Sequence, residues 1–338
     1  MSRPTRLIGV EEHFLLPELA VAAQRYLRSE AADGSGWREA GAALEDDDRE
    51  RRGALALELG AGRIAAMDAA GIDVQLLLVS TVANLQMLDP AEGTALARVA
   101  NDGLAQAVRE HPDRLAGLAC IAPQDPDGAA AELERAVGRL GLRGVVINSH
   151  ARGEYLDDPR FEPIFAAAEA IAAPIYLHPA LLPAGAVDPY LEYGLMAAMW
   201  GYAADASLHA LRIILAGTFD RHPGLQIVLG HLGEHIPFSL SRLDAHHVQT
   251  RAKTTPYLQR SPSEYFKEHF LLSTSGMNHA PASIRFCLDV MGVERIMFAA
   301  DYPFEDLEGE VAAFDSAPLT QIERASVAHR NAERVFRL

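Results

Sequence analysis

Only two cysteines occur in 338 residues, Cys120 and Cys287, and they lie far apart. So few thiols exclude a disulfide framework and a cysteine-built zinc site, and they fit a reducing, cytoplasmic setting. Positive charge is also scarce. Lys+Arg number 30 against 46 Asp+Glu, a net charge of −16. Attraction to phosphate backbones or anionic lipid needs clustered Lys and Arg, so neither nucleic acid nor a membrane surface is an expected partner. No apolar run reaches about 18 residues, so no transmembrane helix is expected. The stretch MSRPTRLIGVEEHF carries Glu11 and Glu12 where a signal peptide would need its apolar core, so no targeting segment is expected either. A Walker-type phosphate loop, a strand-linked dinucleotide fingerprint and a G-x-S-x-G nucleophile elbow are all missing. The glycines of GAGRIAAMDAAG follow helix-like sequence rather than a strand.

What is present alternates. The chain is 49% hydrophobic and 22% charged, ordinary for a globular protein. Short β-branched runs such as VQLLLV, QIVLGH and IMFAAD are each followed by an Ala/Leu-rich stretch of helical period. Eight strands are expected, over 7–13, 74–80, 115–122, 144–148, 174–178, 226–231, 270–274 and 296–301. They are near-continuously apolar, as parallel strands covered on both faces should be. Helices are expected over 57–70, 90–111, 127–140, 159–172, 204–221, 236–247, 281–290 and 319–336. Asp89-Pro90 supplies an N-cap and first turn, and Gly71 a stop. Eight such units predict an α/β fold, a single-domain (β/α)8 TIM barrel over 1–338. Two loop insertions follow strands one and five, at about 17–52 and 180–202. The run EDDDRERR in the first reads as a solvated loop or helix.

Polar residues gather at the expected strand ends. Glu11 and His13 end the first strand, Asn148 the fourth, His178 the fifth, His231 the sixth, Ser273 to Ser275 the seventh and Asp301 the eighth. The C-terminal ends of barrel strands converge on one face, so residues far apart in sequence meet there. Positions i and i+2 of a strand face the same way, which puts Glu11 and His13 together. With His178 and Asp301 they make two imidazoles and two carboxylates, an N/O set suited to one Zn²⁺ or Mn²⁺. A buried carboxylate needs such compensation. Each histidine taken alone could equally be a satisfied structural residue; the four together favour a metal. In GHLGEH, Gly230 and Gly233 permit a tight turn, and Glu234 lies three residues after His231. That pair suits an acid or base with an orienting partner, or else a helix cap.

Other residues carry less. Cys287 and Cys120 read as core thiols. His235, His246 and His247 read as helix or surface residues. His111 and His222 precede prolines near helix ends, where a cation suits the dipole. His150, His209, His269, His279 and His329 suggest no partner from sequence.

The ordered motifs VEEHF, RIAAMDAAGID, HPDRLAG, APQDPD, VVINSHARGEYLDDP, PIYLHP, LQIVLGHLGEHIPF, SRLDAHH and DYPFE run from residue 10 to about 305. In that order they resemble the amidohydrolase-2 family, in its aromatic-acid decarboxylase branch. INSHARGEYLDDP and APQDPD lean toward the carboxyvanillate type. EEHF leans toward the resorcylate and dihydroxybenzoate type, because the carboxyvanillate type has a non-ligand where His13 stands. The resemblance implies metal ligands at Glu11, His13, His178 and Asp301, and an active-site histidine with its carboxylate at His231 and Glu234. It implies substrate contacts at Trp200, Arg242, Arg63 and Phe304, and Asn148 joins them as a strand-end candidate. Arg242 resembles an arginine that in some members reaches the site across a subunit interface.

The implied activity is non-oxidative decarboxylation of a phenolic acid by a homodimer or homotetramer, with one divalent metal per chain and no organic cofactor. Either Asp301 or His231 would protonate the ring carbon. A hydrolase acting on a lactone or amide through metal-activated water remains an alternative on the same residues. A barrel that binds metal or ligand without turnover is a third.

Overall fold

Nine parallel strands, in chain order around one ring, form the centre of the computed structural model, which describes residues 6–32, 48–83, 85–250 and 258–338. β1 (Ile8–Phe14), β2 (Val74–Val79) and β3 (Leu115–Gly117) pair side by side. β4 (Ala119–Cys120), β5 (Val145–Asn148), β6 (Ile175–His178), β7 (Ile227–Leu229), β8 (Phe270–Ser273) and β9 (Ile296–Met297) continue the order. The expected third strand is thus β3 and β4, interrupted at Leu118. The ladder is carried past that point by Leu118 N–H to the Leu77 carbonyl (2.8 Å) and Arg143 N–H to the Gly117 carbonyl (2.8 Å). Val10 N–H to the Phe298 carbonyl (3.1 Å) and His13 N–H to the Tyr302 carbonyl (2.6 Å) close the ring. This is the expected (β/α)8 barrel. Every strand residue is buried, in keeping with the apolar runs.

The outer helices begin where the sequence signals them. Asp89 caps Pro90–Glu110 by accepting from Ala91 N–H, and Asp125 caps Pro126–Gly138 by accepting from Gly128 N–H. Gly144 lies where a Cβ would sit 2.6 Å from the Pro174 carbonyl oxygen, so the close β5–β6 approach requires glycine there.

Several boundaries differ from expectation. The helix expected over 57–70 is broken at 58–60. Arg49–Leu57 ends before it and Ala61–Ala70 resumes after it, with Glu58 Oε1 accepting from Gly60 N–H at 2.7 Å. The first insertion also holds the helix Pro17–Arg28; residues 33–47, including the start of EDDDRERR, lie outside the described residues. The helix expected over 204–221 is Gly201–Leu215, followed by Thr218–Arg221 after the left-handed Gly217. The segment 319–336 becomes Gln321–Ala325, a wider turn Ser326–Arg330, and Asn331–Phe336. Helices Pro262–His269 and Leu307–Ser316 were not expected. The first carries a Ser261/Glu264 capping box that the sequence displays.

The two strands expected to end at His231 and Asp301 stop earlier, at Leu229 and Met297. His231 and Asp301 themselves have left-handed backbones, with φ of 51° and 62°, so neither residue belongs to a strand. Among the described residues no helix is long and apolar enough to cross a membrane.

Candidate active site

The site lies at the C-terminal ends of β1, β6, β7 and β9. Glu11 and His13 enter it from β1, as their i, i+2 spacing requires. His178 is the last residue of β6. Nδ1 of His178 donates to the Pro179 carbonyl at 2.8 Å, which leaves Nε2 with a lone pair, 3.5 Å from Glu11 Oε1. One ligand atom each from Glu11, His13 and His178 lies within 4.8 Å of the others, and all three residues are buried. Glu11 Oε1 and His13 Nδ1 are buried without a hydrogen-bond partner among the described residues. Buried acceptors left open, in an N/O donor set, are what a hard-to-borderline divalent cation satisfies, so these residues fit such an ion.

Asp301, the fourth residue of the expected set, lies beside this cluster. Its Oδ1 lies 2.9 Å from His13 Nε2 and its Oδ2 4.0 Å from His231 Nε2. The Glu11 carboxylate is held from the far side of the barrel. Ser273 donates to Oε2 at 2.6 Å, and the Tyr176 hydroxyl donates to the same oxygen. Gly230 leaves room for it, since a Cβ there would lie 3.1 Å from both Glu11 oxygens.

His231 opens a turn in which residues 231 to 235 all have positive φ. Only Gly233 among them is free of the Cβ penalty, so the turn stores backbone strain at the site. Its geometry delivers the expected pair: His231 Nδ1 donates to Glu234 Oε1 at 2.6 Å, and Nε2 faces Glu11 Oε1 at 3.7 Å.

Charge is divided sharply. Burial drives the histidines of the donor set down, His13 to about 4 and His178 to about 3, so both are neutral. Burial opposes the charge on His231 too, but Glu234 and Glu11 outweigh it and push the imidazole up to about 10. Asp301 is pushed up to about 7 by burial and then by Glu11. For Glu11, the facing His231, His178 and His13 outweigh burial and hold the carboxyl down. A cationic imidazole therefore stands beside a carboxyl that readily keeps its proton.

The remaining candidates separate. Phe304 presents its ring 5.0 Å from that of His13, nearly edge-on, and is partly exposed. Trp200 is half exposed and stacks on His235 at 5.1 Å. Asn148 is buried, with Oδ1 unpartnered among the described residues and Nδ2 3.5 Å from the Val79 carbonyl. Arg242 is exposed on the helix Ile236–Thr250. Arg63 is fully buried, and burial lowers its guanidinium to about 10. It donates to the carbonyls of Glu58 (2.8 Å), His13 (2.8 Å) and Leu55 (3.3 Å) and to Gln75 Oε1 (3.0 Å), bracing the backbone of β1 from outside.

Some histidines do have partners that sequence did not suggest. Leu156 N–H donates to His209 Nε2 at 2.9 Å, so His209 Nδ1 carries the hydrogen toward Ser149 Oγ at 3.2 Å. Gly153 N–H donates to His150 Nδ1, His269 bonds the Leu225 carbonyl, and His329 and His279 meet Glu333 and Glu310. Tyr176 is the site residue that sequence reasoning missed. Its signal was the same i, i+2 spacing to His178 that marks Glu11 and His13.

With this geometry in view, comparison with known proteins is informative. The amidohydrolase family model matches residues 20–338. The chain belongs to the amidohydrolase family. Among its relatives, γ-resorcylate decarboxylase of Rhodococcus jostii is 33% identical over 343 residues, covering 98% of each chain. The crystal structure of 5-carboxyvanillate decarboxylase from Sphingomonas paucimobilis superposes with a TM-score of 0.94 at 39% identity, covering 98% of this chain and 99% of that one. A dihydroxybenzoic acid decarboxylase from Polaromonas, solved with bound manganese and 2-nitroresorcinol, gives 0.86 at 31% identity, covering 98% and 97%. Resemblance to both decarboxylase types thus persists at the level of structure.

Proposed function

We propose that this amidohydrolase is a metal-dependent, non-oxidative decarboxylase of a hydroxylated aromatic acid, a carboxy-lyase. The observation that carries this reading is the cluster of Glu11, His13 and His178 with Asp301 and His231 at its rim. The metal would be Mn²⁺ or Zn²⁺, one per chain, and Glu11, His13 and His178 would hold it, with Asp301 beside them as a further donor. When bound, it supplies positive charge opposite the carboxylate and neighbouring phenolate of the substrate.

The protein's own groups do the rest. Phe304 and Trp200 flank the ring, and Asn148 offers an open acceptor to a phenol hydroxyl. Asp301, as the carboxylic acid, gives its proton to the ring carbon bearing the carboxylate. The C–C bond to the carboxylate then breaks, its electron pair restores the aromatic ring, and CO₂ leaves. His231, charged and oriented by Glu234, stabilises the Asp301 carboxylate, returns a proton to it and regains its own from solvent. Supporting an assembly of two or four copies, Arg242 and Phe238 stand exposed on the helix Ile236–Thr250, where Arg242 could meet a neighbour's site. Two free, buried cysteines favour the cytosol.

The test is CO₂ release by manganese- or zinc-loaded protein from γ-resorcylate, 2,3-dihydroxybenzoate and 5-carboxyvanillate. Turnover of any of them is expected, and the best substrate decides between the two leanings of the sequence. Silence across the panel with one metal per chain overturns the reading and favours hydrolysis of a lactone or amide.

A further inference from the structure

β1 carries a carboxylate that this scheme does not use. Glu12 is fully buried and points away from Glu11 and His13. Its Oε1 accepts the Ala300 N–H at 3.0 Å and its Oε2 the Tyr302 N–H at 3.2 Å. Those are the two amides on either side of Asp301. Asp301 itself is left-handed, at φ 62°, a backbone that a residue with a Cβ keeps only where its surroundings hold it.

The brace continues outward. Gln75 Nε2 donates to Glu12 Oε2 at 3.3 Å, Gln75 Oε1 accepts from Arg63, and Arg63 donates to the His13 carbonyl. The backbone at Asp301 is thereby tied through buried side chains to the backbone at His13. The local sequence makes space for this. The β1–β2 register shifts between Gly9 and Glu12, and a Cβ at Gly9 would collide with Glu12 Oε1.

We infer that Glu12 is a positioning residue for Asp301. It clamps the two flanking amides so that the Asp301 carboxyl is aimed at His13 and His231. This rests on the reading of Asp301 as the proton donor.

The test uses the full chain loaded with manganese and the panel acid turned over fastest. Glu12→Met removes both acceptors at similar volume. It should lower kcat at least tenfold with KM within threefold, one manganese per chain, and an altered manganese EPR line shape. Glu12→Gln, which keeps one carbonyl oxygen, should recover most of the lost rate. A folded, metal-loaded Glu12→Met with the parent kcat overturns the inference. If Glu12→Met does not fold or load metal, Glu12→Gln decides, because its amide nitrogen cannot accept one of the two flanking N–H groups. A two- to fivefold fall in kcat with full metal supports the clamp, and an unchanged kcat overturns it. Asp301→Asn separates the two ideas. If it is fully active, the donor reading itself fails. If it is inactive beside an active Glu12→Met, only the positioning role fails.

Discussion

His231 Nε2 stands 4.0 Å from Asp301 Oδ2, although 70 residues separate them, and both residues hold left-handed backbones on the C-terminal face of the barrel. The pair couples an imidazole driven up to about 10 with a carboxyl driven up to about 7. That juxtaposition is the basis of the acid chemistry proposed for this amidohydrolase.

Removing the charged partner of the acid should separate chemistry from metal binding. His231→Ala is expected to keep one metal per chain and lose about 10²- to 10⁴-fold in kcat, the range general acid catalysis contributes. His178→Ala and Asp301→Ala are expected to lose metal and activity together. Metal analysis beside steady-state kinetics checks both; a fully active His231→Ala removes the role assigned to that residue.

Asp301 should set the alkaline limit. Its protonated form, the proposed donor, is lost as pH rises through about 7, before His231, pushed up to about 10, loses its charge. The kcat of the metal-loaded protein is therefore expected to fall as pH rises beyond the neutral range. A kcat profile that stays flat through that range contradicts the assignment of Asp301 as the acid.

His209 should carry part of the acid sensitivity of the metal-free protein. It is buried and neutral, pushed down to about 3 against an ordinary 6.5. A depressed folded-state value means stability that is full above about 6.5 and lost as pH falls toward the folded value. Between pH 7.5 and 5 it would cost about 2 kcal/mol at most by linkage, while the raised carboxyls of Glu12, Asp205 and Asp301 work the opposite way. The stability gap between the parent and His209→Gln, both treated with chelator, should therefore narrow as pH falls across that window, and a gap independent of pH would contradict it.

Arg63 offers a clean contrast between bracing and substrate contact. Arg63→Met leaves buried carbonyls at Glu58 and His13 without their donor, each costing about 1–3 kcal/mol. Denaturant midpoints should drop accordingly. Unchanged stability with a raised KM would instead mark Arg63 as a residue that meets the substrate.

Much of the site was legible because its residues obey local rules. Glu11 and His13 share a strand face by i, i+2 spacing. His178 is the last residue of an apolar run, and Glu234 follows His231 at the distance a tight glycine-bearing turn can close. Asp89-Pro90 announces a helix start for an equally local reason. What escaped was non-local. Tyr176 and Ser273 hold Glu11 from across the barrel, Leu156 gives His209 its partner, and Glu12 meets amides nearly 290 residues away.

The sequence by itself determined the alternation of strand and helix, hence the parallel barrel, and the types of donor gathered at its C-terminal face. Period and residue chemistry are properties of short segments, so they can be read without contacts. Only the tertiary structure decided which of two adjacent carboxylates does what. Glu11 and Glu12 are identical in sequence terms. Ring closure turns one toward the histidines and the other toward the backbone of Asp301, because the two faces of a strand meet different neighbours.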